Sequence, residues 1–334
     1  MRESVHTPDT VYISGPTFTP PDIELTDAST EFAVNCTSVA AKVRALVEDS
    51  VSPATRRAHA SDLRHFAEWG GSIPAAPETI AEYLADHAGE LTVSTLTRRA
   101  GTLSKAHAAL GLPSPCQAQI VRSTLQGLRR RYGVAGKQAR ALVLEDLFPV
   151  LDGIGDDAKG VRDRALLLLG FAGGFRRSEL VGLDAADIEH VRQGVVVHLR
   201  RSKTDQHGAG RKIGIPHGRS RHCPVSAIDR WIEVATASNG PIFRPVDRHG
   251  HIAAGRLSGD AVSDIVKERV AAVGLDPDQY SGHSLRSGFA TSAARVGVST
   301  LKIRAQTGHT TDAMLARYVR DGELFVGNAA GALL

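Results

Sequence analysis

Four short stretches of this 334-residue chain hold side chains that can act on a phosphate. In Gly174-Phe175-Arg176-Arg177-Ser178-Glu179-Leu180, Arg176 enters a predicted helix start just after an apolar segment and a Gly-Gly bend. Glu179 follows one helical turn later on the same face. An arginine held by a carboxylate is a rigid fork for a phosphate. His283 and Arg286 share one face of a second predicted helix and can present an imidazole and a guanidinium to one anion. Gly308-His309 follows a third helix, and Tyr318 comes nine residues after His309 on the next one. Lys203 sits at the tip of a predicted β-hairpin, from which a flexible ammonium reaches into a groove. Singly, each has an ordinary reading: a structural Arg–Glu pair, a helical His and Arg, a core aromatic, a solvated lysine.

Taken in order, the pieces GFRRSELVGL, RSKTDQ, SGHSLRSGFAT and TGHTTDAMLARY resemble the tyrosine recombinase (phage-integrase) family over about 141–320. The resemblance implies that Tyr318 is the nucleophile and that Arg176, Arg286 and His309 bind the scissile phosphate. It implies that Lys203 is the general acid for the leaving 5′ oxygen and that His283 assists proton handling and phosphate contact. By the same resemblance Glu179 takes the acidic position after the first arginine and is expected to orient its neighbours. Lys212 is a second lysine near the hairpin; the SKTDQ match and the place in the turn favour Lys203. The resemblance also implies four protomers on two duplexes during strand exchange.

Elementary chemistry agrees with these roles. Negative charge builds on phosphate oxygens in the transition state, and preorganised cations stabilise it. A phenol has a pKa of about 10 and must lose its proton as it attacks. An alkoxide leaves poorly unless protonated, which gives a lysine its task. A phosphotyrosine conserves the bond energy, so rejoining needs no ATP, and no GxxxxGK[ST] occurs. No cofactor is implied. His217, His222 and Cys223 lie close in sequence without a second ligand pair, so no metal is implied either.

The elements that position these residues fall in two blocks. Before them, residues 1–36 are rich in Pro, Thr and Asp and read as a flexible arm. Residues 37–128 read as a compact helical domain, which the resemblance implies is the family's core-binding, DNA-binding domain. Ser52-Pro53 opens a helix carrying Ala60, Leu63, Phe66 and Ala67, and one near Pro77 carries Ile80, Tyr83, Leu84 and His87. A helix after Thr92 carries Leu96, Arg99, Leu103 and Leu110, and one from Ser114-Pro115 carries Ile120, Val121 and Leu128. The stretch 129–140 is acid-free and reads as a basic linker. The catalytic domain, 141–334, is predicted as helices with two β-type runs, 195–199 and 212–215, around the tip at 202–210. The fold class is therefore mainly α with a small antiparallel sheet in the C-terminal domain.

Charge points to a polyanion. Residues 1–36 hold one base and six acids, leaving them at −5, so the rest of a chain of net charge +4 carries +9. The residues predicted to meet DNA are Arg56, Arg57, Arg64, Arg98, Arg99, Lys105, Arg129, Arg130, Arg131, Lys137 and Arg140. The partner implied is double-stranded DNA with a specific site. The N-terminus leads into no apolar stretch, no 18-residue apolar run occurs, and three scattered cysteines suggest a reducing cytoplasm, here with the nucleoid. Two other readings are a type IB topoisomerase, which shares this chemistry, and a non-catalytic DNA-binding regulator. Leu324, Phe325, Val326, Ala329, Ala330, Leu333 and Leu334 give the tail an apolar stripe that should dock in its own or a neighbour's subunit.

Overall fold

The computed structural model describes residues 41–43, 45–47, 50–133, 139–200, 210–313, 315, 316 and 318. The arm at 1–36, Lys137, the hairpin tip with Lys203 and the apolar tail lie outside the described residues. Two compact units divide the chain, 1–135 and 136–334. Among the described residues no helix is long and apolar enough to cross a membrane.

The first unit is helical. A short helix α1 within 41–47 precedes α2 (Pro53–Glu68), α3 (Pro77–Asp86), α4 (Val93–Ala109) and α5 (Gln119–Tyr132). Local chemistry sets these starts. Ser52 and Thr92 are extended N-caps whose hydroxyls accept the Thr55 and Thr95 N–H groups, each at 3.2 Å. Pro53 and Pro77 stand in the first turn, where a missing N–H costs nothing. Phe66, Ile80, Tyr83, Leu84, Leu96, Leu103, Val121 and Leu128 form the core.

Three expectations for this unit change. Arg99 is not on the basic surface: it is buried, it donates to the Tyr83 hydroxyl at 3.0 Å, and it lies 3.7 Å from Asp62. Helix α4 turns it inward because Asp62, itself 1% exposed, needs cations beside it. The residues Leu110 and Ile120 are exposed rather than core, since α4 ends at Ala109 and α5 buries Val121 instead. Arg129, Arg130 and Arg131 form the last turn of α5 rather than an irregular linker. Three cations at a helix C-terminus complement its dipole, and the helix stops at Gly133.

The second unit opens with α6 (Leu144–Asp152), which carries Pro149 inside it and was not predicted. Helix α7 (Ala158–Ala172) is buried nearly all round and packs on α9 (Pro224–Val234). Between them come α8 (Arg177–Gly182) and a three-stranded antiparallel sheet in the order β1 (Ile188–Val191), β2 (Gly194–Leu199), β3 (Arg211–Pro216). The strand β1 was also missed; four residues with two exposed charges or imidazoles give no clear alternation. Leu199 pairs with Arg211 at the open end of the β2–β3 hairpin. Helices α10 (Gly259–Ala271), α11 (His283–Arg295) and α12 (Thr300–Thr307) follow, and the described positions from 312 to 318 are helical.

Candidate active site

Three segments converge from distant parts of the chain. The first is the turn from α7 into α8. Gly174 there has φ +57°, a left-handed conformation that favours glycine, and a Cβ would stand 2.8 Å from a Thr307 methyl. The turn delivers Arg176 to the N-cap of α8. The Arg176 backbone N–H donates to Glu179 Oε2 at 2.9 Å, and its Nη1 donates to Glu179 Oε1 at 2.6 Å. Its Nη2 reaches the Gly308 carbonyl at 3.4 Å. Glu179 is buried, so this pair is a largely desolvated one rather than a surface ion pair.

The second segment is the start of α11. Arg286 is 1% exposed, and its Nη1 donates to the carbonyls of Gly174 (2.7 Å) and Thr307. Among the described residues its Nη2 has no hydrogen-bond partner. Burial, with Arg176 nearby, lowers its pKa to about 10. At neutral pH it stays charged, with a donor to spare.

The third segment runs from α12 to Tyr318. Gly308 closes α12 with φ +70°. The Thr307 hydroxyl donates to the Ile303 carbonyl at 2.7 Å, so its oxygen accepts the Nδ1–H of His309 at 2.8 Å. That chain fixes the neutral tautomer of His309, with Nε2 unprotonated. Burial and then the Arg286 and Arg176 cations hold the His309 pKa down at about 3. The neutral ring is therefore the resting state, and an anion arriving beside it favours protonation.

Tyr318 meets His283: Nε2 and the phenol oxygen are 2.8 Å apart. Burial, then Arg286 and Arg176, lowers the His283 pKa, so at neutral pH this ring is an acceptor for the phenol proton. A cleft of about 470 Å³ opens beside Tyr318, lined by Lys267, Tyr280, Ser281 and His283 among others.

The structure thus brings together Arg176, Glu179, His283, Arg286, His309 and Tyr318. Lys203 lies outside the described residues, four positions beyond the end of β2. Tyr280, the other tyrosine of the cleft, is 2% exposed and donates to Asp146 at 3.3 Å. Arg56, Arg57, Arg64, Arg98, Lys105, Arg129, Arg130 and Arg131 are exposed on the first unit. Arg98 leans on Asp62. Arg140 is tied to the second unit, with Nη2 3.1 Å from Asp146 and its guanidinium over the Tyr280 ring. Sequence reasoning missed two residues. Thr307 sets the His309 tautomer, and Arg211 lies 3.7 Å from Glu179. Nothing in the sequence distinguishes Arg211 from a solvated arginine at a strand end.

Comparison with known proteins places this arrangement. Residues 141–323 match the phage integrase family. The chain is 38% identical over 299 residues to an integrase/recombinase XerD homologue of Selenomonas ruminantium, covering 86% of this chain and 87% of that one. It is 28% identical over 269 residues to the Cre recombinase of Escherichia phage P1, covering 75% and 77%. Its fold resembles a lambda integrase dimer bound to a COC′ core site, with a TM-score of 0.61 at 18% identity over 85% of this chain and 94% of that one.

Proposed function

The chain belongs to the phage integrase family, and from that premise we propose that Tyr318 cleaves duplex DNA by forming a 3′-phosphotyrosyl bond. The protein is a site-specific tyrosine recombinase, an enzyme of DNA cleavage and rejoining by transesterification. The similar proteins are recombinases and integrases by name, which favours this reading over a topoisomerase or a non-catalytic regulator.

One observation carries the residue assignment: the His283 imidazole and the Tyr318 phenol are in contact beside the buried guanidinium of Arg286 and the half-buried one of Arg176. The Tyr318 oxygen attacks phosphorus, a P–O bond to tyrosine forms, and the bond to the 5′ oxygen breaks. The phenol proton passes to His283 Nε2, and Lys203 supplies a proton to the departing 5′ oxygen. Arg176 and the free Nη2 of Arg286 meet the non-bridging oxygens, with His309 joining them once protonated. Attack by a 5′ hydroxyl on the phosphotyrosine reverses the step on a new partner strand, and four protomers on two duplexes complete the exchange.

In this reading Arg56, Arg57, Arg64, Arg98, Lys105, Arg129, Arg130 and Arg131 of the first unit contact phosphates and set register, as does Lys137. Arg140 lies nearer the catalytic cleft. The enzyme works where its DNA is, with the nucleoid. The test is a nicked suicide duplex, selected by binding from a randomised pool. Wild-type protein gives a covalent adduct, and Tyr318→Phe gives none while keeping its fold and DNA affinity. A normal adduct yield from Tyr318→Phe moves the nucleophile elsewhere.

A further inference from the structure

Arg211 is a half-buried cation that the chemistry above does not use. It is the first residue of β3, opposite Leu199 at the mouth of the hairpin that bears Lys203. Its Nε, Nη1 and Nη2 are shielded from solvent, and none has a hydrogen-bond partner among the described residues. A guanidinium has five donors, and leaving them all dry and unpaired is costly. Burial lowers its pKa, which registers the same cost. Its nearest carboxylate is Glu179, at 3.7 Å from Nη2, just outside hydrogen-bond range. Its other side presses on the turn before His309: a Cβ on Gly308 would fall 1.9 Å from Nη1.

Glu179 therefore has two arginines beside it and bonds fully to one. The Arg176 backbone N–H holds Oε2 at 2.9 Å, and its guanidinium holds Oε1 through Nη1 at 2.6 Å, so only the second bond is at stake when the side chain turns. A phosphate binder tied to a carboxylate must give up part of that bond to offer its fork to DNA. For a carboxylate as buried as Glu179, losing the partner is strongly unfavourable unless another cation replaces it. We propose that Arg211 is a positioning residue that takes over Glu179 as Arg176 turns onto the scissile phosphate. The displacement needed is small, because 3.7 Å shortens to a normal bond by less than the length of a C–C bond. This rests on the assignment of Arg176 as a phosphate binder.

The experiment is single-turnover adduct formation by the full-length protein on the nicked duplex selected from a randomised pool. Rates are measured at saturating DNA, with duplex affinity measured separately. Wild type and Tyr318→Phe are the controls; if wild type itself forms no adduct, the recombinase reading fails rather than this one. Arg211→Met is expected to slow adduct formation roughly tenfold or more with duplex affinity unchanged, and Arg211→Lys to recover part of the rate. The defect is expected to vanish in a Glu179→Gln background, because a neutral amide needs no replacement cation. A packing role, or direct contact with the phosphate, slows Glu179→Gln by the same factor again. The handover is overturned if Arg211→Met cleaves at the wild-type rate, or if its defect persists in full beside Glu179→Gln. Should Arg211→Met fail to melt cooperatively, the same cycle is run with Arg211→Gln, and the same two results overturn the proposal.

Discussion

Replacing Thr307 by valine removes one oxygen from a site where nothing else can substitute for it. Thr307 is fully buried and His309 is 8% exposed, so water does not readily replace the lost acceptor. The variant has two ways to respond. If His309 keeps its proton on Nδ1, a buried donor is stranded at a cost of about 1–3 kcal/mol. For a unit the size of 136–334, each kcal/mol moves Tm by roughly 2–4 °C, so the melt should fall by roughly 2–12 °C. If instead the ring changes tautomer, much of that loss is avoided, but Nε2 then carries the proton and Nδ1 faces a methyl group. Nitrogen-15 spectra of the His309 ring distinguish the two nitrogens, and thermal melts give the stability. Thr307→Ser keeps the hydroxyl and gives up the methyl, so it separates the oxygen's role from that of packing. The reasoning fails if Thr307→Val matches Thr307→Ser in both Tm and ring tautomer.

Three further outcomes follow from the same structure and sequence. Lys203→Ala should stall cleavage of a normal duplex but recover on one with sulfur at the bridging 5′ position. A thiol of pKa about 8.5 leaves without a proton donor, whereas an alcohol, a far weaker acid, does not; rescue of Lys212→Ala instead would move the acid to Lys212. His283 and His309 are both held below the ordinary imidazole value of 6.5, so the unfolded chain binds protons that the folded one refuses. Their contribution to stability is complete above about pH 6.5 and is lost as the pH falls from there toward the folded values. Melts of DNA-free protein at two pH values should show that loss, and a His283→Gln, His309→Gln double variant that loses as much refutes the attribution. Arg99→Met should destabilise the first unit, because it strips a cation from buried Asp62, while Arg56→Ala and Arg64→Ala should weaken duplex binding instead. A duplex-affinity loss for Arg99→Met matching theirs, with an unchanged melt, would return Arg99 to the DNA surface.

The sequence alone determined what is local. Ser52-Pro53 and Thr92 start their helices because caps and first-turn prolines act within four residues. The GFRRSEL, HSLR and GH…Tyr stretches pointed to the proposed reacting groups because their order along the chain resembles that of the family. Tertiary structure decided everything that depends on residues meeting across long separations. Arg286 is fixed by the carbonyl of Gly174, 112 residues earlier, and Asp62 draws Arg99 inward from another helix. Charge counting could not separate Arg99, a core residue, from Arg98 beside it, because both are arginines and one helical step of 100° decides which faces water. Arg211 is the sharpest case. In the sequence it is one basic residue among forty, and its meaning comes from a carboxylate that the fold sets 3.7 Å away. Hydrogen bonding and ion pairing act over a few ångströms of space, and the chain's order does not record which of its distant parts come that close.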